Sequence, residues 1–345
     1  MKVAVINNWV PFVAGGAEHL ASALTDKLAE FGHKALLVKI PFQWHPASKI
    51  LEQILACRAM RLANVDRVIA LKFPAYYIPH PDKILWIVHQ FRQAYDLWGT
   101  EYQDIPDTPE GHRVREIIMR SDDTFLPEAR KIYTNSHITA DRLKKWNRMD
   151  SEVLFPPLLD ASQFRCAEYG DYIFYPSRIT RGKRQCLVVE SMKHVTSGVR
   201  LVVAGSPETP DDLANLEAIL RENQLEQKVQ VLPRFISEEE KVELMNHALG
   251  SAYTPYDEDS YGYVTLEAYH ARKPVVTCTD SGGTSIVVED GVTGWSVPPE
   301  PREIARAFDD LFLDRTRARR MGEAGYARVV SLGITWENVI GKLTQ

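Results

Sequence analysis

The strongest constraint on this chain is a strand–helix–strand rhythm that starts at Lys2, stops at a proline pair and then starts again. KVAVIN (2–7) is a short apolar run, as expected of a strand buried on both faces. After a glycine-containing loop, Ala17, Leu20, Ala21, Leu24, Leu28 and Phe31 recur at helical spacing, and Gly32 stands where a C′ glycine ends a helix. KALLVKI (34–40) supplies the next strand. Strand, helix and strand so close together make a βαβ unit, which demands a parallel sheet covered on both faces. The pattern goes on with a helix near 47–63, strands near 66–71, 84–88 and 131–135, a helix over 137–147 and a short strand at 152–155.

Pro156 and Pro157 break the chain, and the next dozen residues are irregular. The alternation then resumes with strands over 172–176, 200–205, 228–232, 251–254 and 274–278 and helices over 184–196, 211–223 and 262–272. Ser237 with Glu240 three residues on predicts a capping box opening a helix to Leu249. The expected architecture is α/β, two doubly wound domains over 1–157 and 158–329 joined near 156–168. In such sheets a ligand sits beyond the carboxyl ends of the strands, so chemistry is expected in the cleft between domains.

Composition removes several function classes. No stretch approaches the roughly 18 consecutive apolar residues of a membrane span. The start is too polar for a secretory signal, which predicts a cytoplasmic protein. Cys57, Cys166, Cys186 and Cys278 lie far apart with no C-x-x-C pair, against a zinc site or a disulfide framework. A net charge of −5 speaks against nucleic acid as a partner. The charge is uneven: 20 basic against 18 acidic residues up to Pro157, then 21 against 28. The mildly basic first half permits contact with an anionic surface or substrate.

Three segments carry chemistry. In YDEDSYGYVTLEAYHARKP (256–274), Gly262 precedes a helix start, and a helix N-terminus beside a glycine suits a diphosphate. Glu267, about one turn in, suits a ribose diol, or merely complements the helix dipole. SRITRGKRQ (177–185) crowds Arg178, Arg181, Lys183 and Arg184 onto a strand-to-helix loop, where cations would offset charge growing on a leaving pyrophosphate. In DSGGTSIVVEDGVTGW (280–295), Gly282 and Gly283 can bring backbone N–H groups to a ligand, and Asp290-Gly291 with Gly294 reads as a turn or hairpin. In the first half, GGAE (15–18) between the first strand and helix is not G-x-G-x-x-G, so the dinucleotide fingerprint is absent. Gly15 and Gly16 would let the backbone close over a phosphate, or simply make a turn. Phe91, Tyr95, Trp98 and Tyr102 follow at helical spacing, as packing or as an acceptor platform.

Arg178 and Lys183, then Gly205, then D-x7-E at Asp259 and Glu267, then GGTSIVVEDGVTG, together resemble the nucleotide-sugar domain of the family 4 retaining glycosyltransferases of GT-B fold. The GGAE loop, TNS (134–136), FPPL (155–158) and Trp336 fit as well. The resemblance implies two Rossmann-like domains facing each other across a cleft, with a C-terminal helix of about 330–345 completing the first. It also implies a metal-independent enzyme without a cofactor. Its donor would be a nucleotide sugar such as a UDP- or GDP-sugar, and its acceptor a glycan, a lipid-linked sugar or a small molecule. Glu267 would bind the ribose hydroxyls and Asp259 the transferred sugar. Tyr261, Gly262, Tyr263 and Val264 would hold the phosphates with Arg178 and Lys183. The segment through Arg234 and Phe235 would lie against the base, and His89 would face the reacting sugar. Such relatives often build cell-surface polysaccharide, which makes peripheral contact with the inner membrane face an open expectation. Asp259 where Glu is usual, Ile286 where Glu is frequent and Ser177 where Gly is common put the sugar's identity in question. Rivals are a metal-dependent transferase using Asp257-Glu258-Asp259 as D-x-D, a nucleotide-sugar epimerase or a phosphorylase, and a non-enzymatic nucleotide-sugar-binding protein.

Overall fold

Twelve strands and twelve helices follow one another in a computed structural model that describes residues 1–12, 15–100, 102–258 and 260–345. The chain divides into two units, one of Met1–Leu159 with Ile334–Gln345 and the other of Asp160–Gly333.

The first unit contains β1 (Lys2–Trp9), α1 (Gly16–Glu30), β2 (Lys34–Pro41), α2 (Lys49–Ala59), β3 (Arg67–Lys72), β4 (Lys83–His89), α3 (Pro109–Phe125), β5 (Lys131–Thr134), α4 (His137–Asn147) and β6 (Glu152–Val153). Its six strands lie in the order β2-β1-β3-β4-β5-β6, and every pairing is parallel. Successive residues of β1 feed opposite cores, Ala4 and Ile6 one side and Val3 and Val5 the other. That explains why the strand reads as a continuous apolar run. Gly32, at φ +86°, ends α1 as its position suggests. In the second unit come β7 (Tyr172–Pro176), α5 (Gln185–Ser191), β8 (Arg200–Ala204), α6 (Pro210–Glu222), β9 (Val229–Leu232), α7 (Glu238–His247), β10 (Gly250–Ala252), α8 (Tyr263–His270), β11 (Val275–Cys278), α9 (Gly283–Val287), β12 (Gly294–Val297), α10 (Pro301–Leu313) and α11 (Arg315–Ser331). Its sheet is again fully parallel, in the order β12-β11-β10-β7-β8-β9. The last helix, α12 (Trp336–Thr344), belongs to the first unit. Trp336 Nε1 donates to the Leu158 carbonyl at 2.7 Å, Arg67 reaches the Leu343 carbonyl at 2.9 Å, and Val339 and Leu343 join the core over Val3 and Val5. The first unit ends at Leu159, just past the Leu158 carbonyl that Trp336 holds. Among the described residues, no helix is long and apolar enough to cross a membrane.

Several local expectations need correcting. The 17-residue α3 escapes sequence reading because its inner face carries Gly111, Ser121 and Asp122 beside Val114 and Ile118, which blurs the apolar period. The aromatic set at 91–102 is not one helical face: among its described residues only Arg92–Ala94 makes a single 3₁₀ turn. Phe91 packs on Phe73 with ring centroids 4.9 Å apart, and Tyr95 is buried with its hydroxyl donating to Asp122 at 2.6 Å. Ser237 does cap α7, accepting from the Glu240 N–H, but the Glu240 carboxylate turns away to Arg234, and the helix stops at His247. The turn at Asp290 leads into β12, which pairs in parallel with β11, so no hairpin forms.

Candidate active site

In the second sheet the chain runs from β7 out to β8 and β9, then returns to place β10 on the other side of β7. Connections leave β7 and β10 in opposite directions, and the carboxyl ends of these two strands border the crevice where doubly wound sheets bind ligands. The loop after β7 carries Arg178 and Lys183; the loop after β10 carries Tyr253 to Gly262.

Tyr253 is the hub of this crevice. It follows β10 directly, is 4% exposed, and packs edge-on against Tyr175 at 6.2 Å. Its hydroxyl accepts from Lys183 Nζ at 2.8 Å and lies 3.3 Å from Glu258 Oε2, while Lys183 also pairs directly with Glu258. Burial drives the Tyr253 pKa far above the ordinary phenol value, helped by the negative charges of Glu258 and Glu267 and opposed by Arg178. One neutral phenol thus feels Arg178, Glu258 and Glu267 and touches Lys183. The backbone leaves room for this only because Gly262 has no side chain. At φ +69° its added Cβ would press into the Tyr253 ring, 2.7 Å from Cζ. Gly262 is also the N-cap of α8, so the first N–H groups of the helix open beside the phenol.

Of the residues singled out by sequence, Lys183 bonds to this hub, and the charges of Glu267 and Arg178 bear on it. Arg178 pairs with Glu208 at 3.0 Å; both side chains are more than half exposed, so the pair is easily exchanged. Glu267 is buried, and Lys241 of α7 holds its Oε1 at 2.6 Å. Burial raises the Glu267 pKa above the usual carboxyl value, and Lys241 only partly offsets this. Gly205 lies at φ +155°, where a Cβ would clash with Ser177 and come 3.1 Å from the Arg178 nitrogen, so it lets the Arg178 loop lie against β8. Tyr261 is buried and its carbonyl accepts from Thr265 at 2.6 Å, tying the loop to the start of α8. Tyr263 is half-buried and Val264 buried on the first turn of α8. Arg234 makes a two-pronged pair with Glu240 at 2.7 and 2.8 Å, and Phe235 stands 81% exposed beside it, just past β9. Asp259 lies outside the described residues.

The remaining candidates have these partners within the protein. Arg184 does not serve as a fourth anion-binding cation. Its guanidinium grips Asp280 at 2.7 and 2.8 Å and donates to the Thr254 and Pro255 carbonyls, clamping two loops together. Gly283 spends its N–H on the Glu258 carbonyl at 2.9 Å, so the glycine pair supports the acidic loop. In the first unit Gly15 is extended and donates to Glu18 Oε2 at 3.0 Å; Gly16 opens α1; Glu18 also pairs with Lys72 at 3.3 Å. His89 ends β4, half-buried, its Nδ1 2.7 Å from the Gln90 carbonyl. Sequence reasoning missed Tyr253, Glu258 as the Lys183 partner, and Lys241. The position of Tyr253, first after a strand bordering the crevice, was the available signal.

Residues 162–328 match the family described as glycosyl transferases group 1, which spans most of the second unit. That stretch is just under half of the chain; over it the second unit resembles the group 1 glycosyl transferases. Over 228 residues it is 32% identical to the alpha-1,3/1,6-mannosyltransferase ALG2 of Mus musculus, covering 58% of this chain and 54% of that protein. The chain spans about half the length of the curated relatives it matches first. Among solved structures, sucrose-phosphate synthase from Thermosynechococcus elongatus superposes with a TM-score of 0.78 at 18% identity, covering 100% and 98% of the two chains. Anabaena HepE in complex with UDP and glucose does so at 0.74 and 17%, with the same coverage. Both sheets of the chain thus lie within the stretch that shares this GT-B fold.

Proposed function

We propose that this chain is a retaining, metal-independent glycosyltransferase that moves a sugar from a nucleoside-diphosphate sugar to an acceptor hydroxyl. The observation that carries the reading is Lys183 bonded to Tyr253 at the carboxyl ends of β7 and β10, where the charges of Arg178 and Glu267 also bear on that phenol. The match of 162–328 to group 1 glycosyl transferases and the UDP and glucose held by HepE support it.

Cleavage of the anomeric C–O bond sends its electron pair to the β-phosphate oxygen. Lys183 and Arg178, with the N-terminus of α8, offset that charge where a divalent ion would otherwise be needed. Arg178 gives up only an exposed pair with Glu208 to reach a phosphate, at a cost of about 0–1 kcal/mol. Glu267 accepts from the ribose hydroxyls and Asp259 from the transferred sugar. The acceptor oxygen bonds to the anomeric carbon on the face the leaving group departs from, and its proton passes to the departing phosphate. A glycan, lipid-linked or small-molecule acceptor fits this chemistry.

Titration calorimetry with UDP, GDP and ADP, followed by transfer assays from the corresponding sugars with and without EDTA, tests the proposal. One of the three nucleotides should bind, transfer should survive EDTA, and the product should keep the donor's anomeric configuration by NMR. Arg178→Ala with Lys183→Ala should abolish transfer while thermal unfolding stays cooperative. Transfer at parental rates in that double variant, or its loss in EDTA, would overturn the proposal.

A further inference from the structure

Lys241 sits on the second turn of α7, three residues after Glu238 and 26 before Glu267, in a stretch with no motif to mark it. Its ammonium joins two carboxylates, Glu267 Oε1 at 2.6 Å and Glu238 Oε2 at 2.9 Å. The two are unequal partners: the Glu267 side chain is 6% exposed and that of Glu238 52%. A buried carboxylate without a countercharge takes up a proton, and a half-exposed one does not need the help. The other groups acting on this corner, Glu238 on α7, Tyr253 after β10 and Tyr263 on α8, offer no second cation to Glu267.

We propose that Lys241 is a positioning residue of the donor site: it holds Oε1 of Glu267 and keeps that carboxylate ionised, leaving Oε2 as the acceptor for the nucleotide's ribose diol. This rests on the reading of Glu267 as the ribose ligand. Lys241 touches no substrate in this scheme. It sets the plane of the Glu267 carboxylate and excludes the protonated form, which would offer a hydroxyl where the diol needs an acceptor. Burial resists the ammonium, yet the two carboxylates lift the Lys241 pKa above its ordinary value, so it stays charged throughout the working range. Glu267, already shifted upward, would shift further once the ammonium is gone.

The test measures Kd for UDP, GDP and ADP by calorimetry between pH 6 and 9, comparing each variant with the parent at the same pH. Lys241→Met should weaken the nucleotide that the parent binds about tenfold at pH 7, the loss of one charge-assisted contact. The deficit should shrink toward pH 9, as Glu267 regains its charge. Lys241→Arg should restore most of the affinity, and Glu238→Gln should keep it, because only the Glu267 arm matters. A merely structural tie between α7 and α8 predicts instead a pH-independent deficit shared by Glu238→Gln and tracking the fall in Tm; that result overturns the proposal. Lys241→Met added to Glu267→Ala should cost nothing more. If Glu267→Ala weakens binding and Lys241→Met does not, the Lys241 inference alone fails. If Glu267→Ala binds like the parent, or the parent binds none of the three nucleotides, the ribose reading fails and takes this inference with it.

Discussion

Replacing Gly262 by alanine probes the construction of the site more sharply than removing any charge. Two costs add at that position. The backbone lies at φ +69° and ψ +138°, a region that side-chain-bearing residues avoid at about 1–3 kcal/mol. The new methyl would also enter the face of the buried Tyr253 ring, 2.7 Å from Cζ and 3.0 Å from Cδ1. Ordinary carbon contacts lie near 3.5–4.0 Å and Cε1 is the nearest ring atom, so the ring must retreat by well over ~1 Å into a packed interior, at about 1–3 kcal/mol. Together these give about 2–6 kcal/mol, or roughly 5–20 °C of Tm for a unit of this size. Gly291 supplies the control. It has a similar φ of +71°, but a Cβ there would meet nothing closer than 3.9 Å, so Gly291→Ala should show the backbone cost alone. The excess of Gly262→Ala over Gly291→Ala measures the ring clash. Because Tyr253 carries Lys183, nucleotide binding should fall well beyond what Gly291→Ala causes. Differential scanning calorimetry and nucleotide titration read both effects. Equal Tm shifts for the two glycines, with nucleotide affinity intact, would refute the packing argument.

Two further outcomes follow from charges held inside each unit. Arg184→Lys cannot reproduce the two-pronged grip on Asp280; it should cost about 1–2 kcal/mol by denaturant unfolding and loosen the loops that carry Tyr253 and Glu258, and a parental midpoint would contradict the clamp. Asp122, fully buried, accepts hydroxyls from Tyr76, Tyr77 and Tyr95, yet burial still lifts its pKa to about 6. A folded-state pKa above the unfolded value near 3.8 means stability that is complete below pH 3.8 and is lost as pH rises to about 6, some 3 kcal/mol in all. Asp122→Asn should remove that loss, so its unfolding free energy should gain on the parent's between pH 4 and 6; parallel curves would exclude the assignment.

The central strands β1, β3, β7 and β8 were legible because they are buried and show as apolar runs, whereas β12 (Gly294–Val297), half-buried and opened by a glycine, was not. Helix α3 was not, since it turns Ser121 and Asp122 inward, and Asp122 is satisfied by tyrosines that lie 27 to 46 residues earlier in the chain. Among the candidate site residues, the crowded cations of 177–185 and the Gly262–Glu267 helix start were readable from local spacing alone.

By itself, the sequence determined that two parallel α/β sheets form and that cations and a carboxylate gather at strand ends of the second, since burial and backbone geometry are written in residue spacing. Tertiary structure alone decided what each charge does. Lys183 and Arg184 are neighbours with the same formal charge, but Glu258 lies 75 residues from the first and Asp280 lies 96 from the second. The partner each cation finds across the fold, and the burial of Tyr253 between them, makes one a crevice residue and the other a clamp. No local pattern carries that difference, because the energy of a charge depends on what surrounds it in space.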